Sequence, residues 1–562
     1  MPLWKWNKAD DEDVGETLSP DAVGGGGHGG ERTALQEQLR VSKAIRLFLS
    51  HHGVLSAEDV ESDTPSPALR EMLQRPHAVV PPELLDDSHP LTEYFISSSH
   101  NTYLLAHQLF GKSCPSSYET TLRAGAKCVE IDAWDNTDDL QEPKVTHGYT
   151  LVSNTPFRKV CETIRDYWDN DKSNPKAPIF LSLENHCGGP GQERLVAIMR
   201  EVFGHRLLDD CDDHSETSPQ LSRLEGKIAV IVEYHWPDAE SQAQDDEGSS
   251  SSSSSDSEDD AVAKKQYEAR KEDAPASPII SELARLGVYA QSVKPTSAGW
   301  YDLALDGYPH HHLINLSEVG LGTHLPANCD KVRAHNAQYL MRVYPKGTRV
   351  NSSNLNPVPF WHVGAQICAL NWQRFGASLQ LNEAMFTHSN GYILKPTYMR
   401  KGHVHAHSHG QHADRSNPKY PFPRRKLALR VVGATDVPER KDGIKPYISC
   451  QLVCGTDTGK PEKRKTGKYN DHDHLKFLNE VGADQYNPIW DETLEWEYDD
   501  DELVFLRILL KSDDKFARNP VIAAACIRLL YAQPGWHFVR LMDAHGQETK
   551  STVFIKLDIS DA

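Results

Sequence analysis

No run of roughly 18 to 20 apolar residues occurs anywhere in the 562-residue chain, so no membrane-spanning helix is expected. The first thirty residues lack the basic-then-apolar order of a secretory leader, so a cytoplasmic protein is expected. Cysteine is sparse and unpatterned. Its ten residues (Cys114, Cys128, Cys161, Cys187, Cys211, Cys329, Cys368, Cys450, Cys454 and Cys526) form no Cys-x-x-Cys frame and read as reduced, mostly buried thiols. No intact calcium loop of the EF-hand type is present. Basic charge is short as well: 60 Lys and Arg face 80 Asp and Glu, for a net charge of −20. Such a surface repels nucleic acid and anionic lipid unless its acids are unevenly placed, so no nucleic-acid partner is expected.

What is present divides the chain by texture. Residues 1–30 form an acidic, Gly-rich tail expected to be disordered, since GGGGHGG buries too little to offset its ordering entropy. Residues 31–87 read as a helical segment, at most a degenerate EF-hand-like one. Leu35, Leu39, Val41, Ile45, Phe48 and Leu49 share half of a helical wheel, Gly53 follows as a stop, and a second helix covers ALREMLQ. Short apolar runs then recur over 88–237 and again over 278–401: YFIS, KCVEIDAW, KVTHGY, PIFLSLEN, GKIAVIVEY, then GVYAQSV, HLINLSE, QYLMRVYP and AQICALNWQ. Strands alternating with helices indicate a parallel sheet, and the summed length suits an α/β fold of the (β/α)₈ barrel type built from two halves. Between the halves, 238–277 opens with nine acids, no base and seven consecutive serines up to residue 260, the signature of a disordered, self-repelling linker. After a His- and Pro-rich connector at 402–424, residues 425–562 alternate as an all-β sandwich. His403, His405, His407, His409 and His412 in that connector read as a solvated loop.

The polar residues that directly follow apolar runs fall at the carboxyl ends of strands, the active face of a barrel. They are His100 and Asn101 after YFISSS, His147 after KVT, and Glu184 after PIFLSL. Within CVEIDAW, Glu130 and Asp132 share one face of the strand, because side chains alternate. Two buried carboxylates require a cation, either a basic side chain or a metal. Three carboxylates with an amide oxygen and no thiolate favour a hard divalent ion, calcium or magnesium, and the two histidines suit proton transfer on a phosphate ester.

The strings ISSSHNTYL, VEIDAWD, THGYT and LSLENHC resemble the X half of eukaryotic phosphoinositide-specific phospholipase C. LMRVYPKGTRVNSSNLNPVPFWHVGAQICALNWQ with GYILKP resembles its Y half, and the sandwich resembles the C2 domain of the same enzymes. The resemblance implies a distorted barrel, Ca²⁺ as cofactor, and cleavage of inositol phospholipid at a membrane surface into diacylglycerol and an inositol phosphate, in signalling. By motif position it implies calcium held by Asn101, Glu130, Asp132 and Glu184, with Glu130 also accepting the proton of the inositol 2-hydroxyl. It gives His100 the developing charge on phosphorus and His147 the protonation of the leaving oxygen. Arg342 and Tyr344 match positions that pair with a ring phosphate and stack on the inositol, and Leu109, Tyr149 and Leu151 match an apolar rim. A peripheral membrane enzyme, monomeric and cytoplasmic, is the expectation. A silent lipid-binding scaffold has no need of this complete set, and a glycerophosphodiester-type phosphodiesterase would leave RVYP and the sandwich unexplained.

Three departures qualify the resemblance. Ile231 and Glu233 stand where the family carries two basic residues for ring phosphates, and Asn315 replaces a serine. A carboxylate near a phosphate is repulsive, so a weakened preference for the 4,5-bisphosphate is expected. In the sandwich, Lys445 precedes Pro446, and Ser512-Asp513-Asp514 with Pro520 replaces an acid-rich loop, so that module is expected not to bind calcium.

Overall fold

The computed structural model describes residues 39–62, 65–105, 112–146, 154–209, 218–234, 278–293, 299–301, 309–347, 349, 352–403, 422–439, 444–455, 462–469, 483–513 and 520–562. The tail expected at 1–30, the linker expected at 238–277, His147, the rim residues Leu109, Tyr149 and Leu151, and four of the five connector histidines lie outside the described residues.

The first described helix, α1 (Lys43–His51), begins after Leu39 and Val41, which the periodicity had placed within a helix; residues 31–38 lie outside the described residues. Ser42 is the reason: its hydroxyl accepts the Ile45 N–H at 3.3 Å, which fixes the cap and leaves Val41 ahead of the helix. Gly53 ends the segment at φ +69°, a conformation that favours glycine. A helix that the apolar pattern did not reveal, α2 (Ala57–Glu61), follows a reciprocal capping box between Ser56 and Asp59. α3 (Pro67–Gln74) covers ALREMLQ as expected. These helices are not a separate module. Ile45, Phe48, Leu49, Leu69 and Met72 form one cluster with Val432, Ile489, Phe538 and Phe554 of the sandwich, so their apolar stripe is buried on its outer face.

Eight strands close the barrel: β1 (Tyr94–Ser99), β2 (Cys128–Trp134), β3 (Ile179–His186), β4 (Ile228–Glu233), β5 (Gln291–Val293), β6 (His312–Ser317), β7 (Leu340–Tyr344) and β8 (Ile367–Leu370). Each pairs in parallel with the next, and β1 closes on both β8 and β2, through Ile96↔Ile367 and Ser98↔Cys128. β1–β4 lie before the acidic segment and β5–β8 after it, and the β4–β5 ladder (Val232↔Gln291, Glu233↔Ser292) joins the two halves. Helices clothe the outside. α4 (Ser116–Arg123), α5 (Phe157–Asn170) and α6 (Gly189–Phe203) cover the first half, and α5 buries Phe157, Val160, Cys161, Ile164 and Tyr167 at helical spacing. α7 (Ser281–Ala284), α8 (Glu318–Gly322), α9 (Cys329–Asn336), α10 (Val358–His362) and α11 (Ala377–Phe386) serve the second. A further strand, β9 (Tyr392–Leu394), runs antiparallel to β1.

The sandwich holds β10 (Arg424–Thr435), β11 (Pro446–Val453), β12 (Glu462–Lys465), β13 (Ile489–Asp499), β14 (Phe505–Ser512), β15 (Val521–Arg528), β16 (Gly535–Met542) and β17 (Glu548–Asp561), all antiparallel. Two four-stranded sheets, β12-β11-β14-β15 and β16-β17-β10-β13, meet through the single pairing Ala524↔Met542. α11 docks the barrel onto this unit. Gln380 Oε1 accepts from buried Arg507 at 2.8 and 3.1 Å, and Tyr531 donates to the Met385 carbonyl at 3.0 Å. Neutral acceptors satisfy these guanidinium hydrogens, which suits a permanent seam.

Candidate active site

The ladder registers decide which side chains enter the lumen. Glu130 pairs with Ser182, and Ser182 with Ile231; two residues on, Asp132 pairs with Glu184, and Glu233 occupies the corresponding place on β4. Across the barrel, Asn315 pairs with Arg342, so these two share that inward face. Glu130, Asp132 and Glu184 each offer an oxygen within 4.8 Å of the others. Glu130 and Asp132 are buried, whereas the Glu184 side chain is half-exposed.

Asn101, just past β1, adopts φ +45°, which turns its backbone N–H onto Glu130 Oε2 at 2.7 Å. Gln373 holds that turn by donating to the carbonyls of Asn101 and Leu104, both at 3.0 Å. The Tyr103 hydroxyl bridges Asn101 Oδ1, at 3.0 Å, and Asp132 Oδ2. Glu130 Oε1 takes a 2.6 Å ion pair from Arg342 Nη2, with both side chains only 3% exposed. Arg342 Nη1 donates to Asn315 Oδ1 at 3.2 Å, and the guanidinium lies 5.4 Å over the Tyr344 ring. The cation required by the Glu130–Asp132 pair is therefore in part a side chain, which the sequence had left open beside a metal.

One guanidinium does not balance three carboxylates. Burial first, then the charges of Glu184 and Glu130, push the Asp132 carboxyl well above the usual carboxylate range. Partial dehydration at the lumen mouth raises Glu184 too, but the hydrogen bond and charge of His186, with Arg342, outweigh it and hold that carboxyl at about 2. His186 Nε2 sits 3.0 Å from Glu184 Oε1, its ring stacked on Trp134 at 4.0 Å. Asp132 Oδ1 is buried without any hydrogen-bond partner. An all-oxygen donor set, an excess of negative charge and an unused buried oxygen fit a hard divalent cation.

His100 follows β1 directly. Its Nδ1 lies 2.8 Å from Asn371 Oδ1, and the Asn371 amide nitrogen donates to the Ser353 carbonyl at 2.9 Å, which fixes the oxygen toward the histidine. Nδ1 then carries the proton, and Nε2 faces Glu130 Oε2 at 4.0 Å. Burial pushes the imidazole below its usual range, with the Glu130 charge opposing. The His100 and Tyr344 rings are parallel, 6.4 Å apart.

Every described residue among the expected site residues thus reaches one end of the barrel; His147 lies outside the described residues. Tyr103, Asn371, Gln373 and His186 went unread as contributors. Asn371 carried the same signal as His100, a polar residue just after an apolar strand. At the sandwich corner, the Lys445 N–H donates to Ser512 Oγ at 3.1 Å and Lys468 is ion-paired with Asp513; Asp514 lies outside the described residues.

Comparison with known proteins agrees with this architecture. The family models of the X and Y domains of phosphatidylinositol-specific phospholipase C match residues 87–234 and 283–398, and that of the C2 domain matches 425–537. The 1-phosphatidylinositol 4,5-bisphosphate phosphodiesterase delta-1 of Rattus norvegicus is 30% identical over 490 residues, covering 85% of this chain and 61% of that protein. The 1-phosphatidylinositol 4,5-bisphosphate phosphodiesterase of Dictyostelium discoideum is 31% identical over 482 residues, covering 81% and 57%. The crystal structure of L. pealei PLC21 superposes with a TM-score of 0.67 at 26% identity, covering 86% of this chain and 57% of that one. The chain spans about three-fifths of the length of the first two relatives.

Proposed function

The chain belongs to the family of eukaryotic phosphoinositide-specific phospholipase C, and from that premise we propose that it is a calcium-dependent phosphodiesterase of inositol phospholipids, working from the cytoplasm at a membrane surface as a monomer. The observation that carries this reading is the convergence of Glu130, Asp132 and Glu184 at the carboxyl end of the barrel with Asp132 Oδ1 unpartnered. Asn101, Glu130, Asp132 and Glu184 would hold the ion, which when bound acidifies the inositol 2-hydroxyl and offsets charge developing at the phosphate.

The remaining work falls to side chains. Glu130 accepts the proton of the 2-hydroxyl, whose oxygen attacks the adjacent phosphorus; a cyclic phosphodiester forms and diacylglycerol leaves. His147 supplies the proton to the departing oxygen and afterwards, as base, directs water onto the cyclic ester. His100 offers Nε2 to the phosphoryl oxygens. With Nδ1 committed to Asn371, a donor at Nε2 requires the imidazolium, which an arriving anionic phosphate favours by Coulomb attraction. Arg342 pairs with a ring phosphate, Tyr344 covers the inositol face and Asn315 steadies Arg342.

Ile231 is buried and Glu233 exposed at the end of β4, so this side of the lumen offers a ring phosphate no cation from that strand. Discrimination between phosphatidylinositol and its 4,5-bisphosphate is accordingly weaker than two basic residues there would give. The sandwich docks without calcium, since Lys445 stands where a carboxylate would be needed and Lys468 occupies Asp513 at the same corner.

The deciding experiment measures inositol phosphate released from vesicles of phosphatidylinositol or its bisphosphate, with and without chelator, for wild type and His100→Ala. Calcium-dependent release that His100→Ala abolishes is expected. Release that survives the chelator overturns the metal assignment, and a bisphosphate preference of about 100-fold or more, worth ~2.7 kcal/mol, overturns the weak discrimination.

A further inference from the structure

Arg342 is occupied in a way that its expected task does not explain. Its Nη2 holds Glu130 Oε1 at 2.6 Å, and its Nη1 holds Asn315 Oδ1 at 3.2 Å. Its Nε is buried without a partner. The other Glu130 oxygen accepts the Asn101 N–H at 2.7 Å. Both oxygens of a proposed metal ligand are thus engaged, one of them by a full positive charge. We infer that Arg342 and calcium compete for Glu130, and that an anionic ring substituent relieves the competition, so metal and inositol phosphate bind cooperatively. The inference rests on the calcium and inositol-phosphate reading above.

The geometry of the guanidinium gives the mechanism. Nε and Nη2 point their hydrogens along one side of the plane, the fork that grips two oxygens of a phosphate. Nη2 alone is spent on Glu130, and Nε is unspent. A phosphate that takes both withdraws Nη2 from Glu130 Oε1 and brings negative charge of its own. Glu130 then regains a lone pair for the ion, and the guanidinium's repulsion of the ion is offset. In the ligand-free protein the same guanidinium shields the carboxylates and lowers their attraction for a divalent cation. Coupling between two ligands is reciprocal, so calcium must tighten the inositol phosphate by the factor with which the phosphate tightens calcium.

The test is calorimetric titration of calcium into the full chain, with and without saturating inositol 1,4,5-trisphosphate, for wild type, Arg342→Gln and Arg342→Lys. Wild type is expected to bind calcium about 5-fold or more tightly when the trisphosphate is present. Arg342→Gln is expected to bind calcium about 5-fold or more tightly than wild type without the trisphosphate, and to gain clearly less from it than wild type does, since only the coupling carried by the 2-hydroxyl itself remains. Arg342→Lys keeps a charge in the buried position but has no Nε fork, so it guards against a fold lost in the glutamine variant. It is expected to bind calcium more weakly than Arg342→Gln does and to lose most of the enhancement. Equal or weaker calcium binding by folded Arg342→Gln, or full enhancement in Arg342→Lys, overturns the inference. Wild-type calcium binding that the trisphosphate leaves unchanged overturns it while the parent reading stands, whereas no calcium binding by wild type at millimolar concentration overturns both.

Discussion

The two ends of the barrel are built from the same eight strands and solve opposite problems. At the amino end, polar groups are buried and answered. Gln366 shares its amide hydrogens among the carbonyls of Thr92, Asn336 and Tyr339 at 2.9, 2.7 and 3.0 Å, while its oxygen accepts the Met341 N–H at 2.9 Å. Lys395 Nζ donates to the Asn336 carbonyl at 3.0 Å, and His312 and His335 share a nitrogen–nitrogen hydrogen bond of 3.2 Å beneath Trp300 and Tyr339. At the carboxyl end, three carboxylates face one guanidinium, Asp132 Oδ1 and Arg342 Nε lack partners, and Asn101 stands in a left-handed conformation. One end is closed on itself and contributes stability; the other holds unspent charge and hydrogen-bonding capacity, which only a ligand can use.

Exchanging the expected losses between the ends would break this contrast. The largest effect should come from Glu130→Gln, which keeps the shape but removes the proposed proton acceptor and one charge: vesicle hydrolysis should fall about 10³-fold, worth ~4 kcal/mol. A loss under about 10-fold would remove Glu130 from the chemistry. Gln366→Ala at the opposite end leaves buried carbonyls unanswered and should cost about 2–4 kcal/mol in urea unfolding. Its activity per folded molecule should stay within about 2-fold of wild type, since the active face lies at the other end.

A pH scan sharpens the same contrast at smaller scale. Burial holds His312 down at about 4 and His335 at about 3. Both lie below the unfolded value of about 6.5, so the unfolded chain takes up protons first, and stability is full above that pH and lost as pH falls toward 4. The slope approaches ~1.4 kcal/mol per pH unit for each histidine. Thermal unfolding between pH 7.5 and 5 should therefore show a declining midpoint that His335→Gln flattens, and an equal slope in the variant would refute the assignment. The smallest change expected is at the carboxyl rim. Glu233→Lys should raise the rate on the bisphosphate relative to phosphatidylinositol by about 10-fold, ~1.4 kcal/mol, and an unchanged ratio would detach that position from ring-phosphate recognition.

The sequence by itself determined the strand–helix alternation, the split barrel, the sandwich and the residues that follow each apolar run, because side-chain periodicity and strand-end position are local properties. It also put Glu130 and Asp132 on one face, since alternation along a strand needs no tertiary knowledge. Tertiary structure decided what no local pattern holds: that Arg342, 212 residues from Glu130, is the partner of that carboxylate. It likewise decided that Asn371 orients His100 across 271 residues, and that α1 and α3 lie on the sandwich rather than apart. Charges and hydrogen bonds between distant segments depend on barrel closure and ladder register, and these exist only once the two halves of the chain have met.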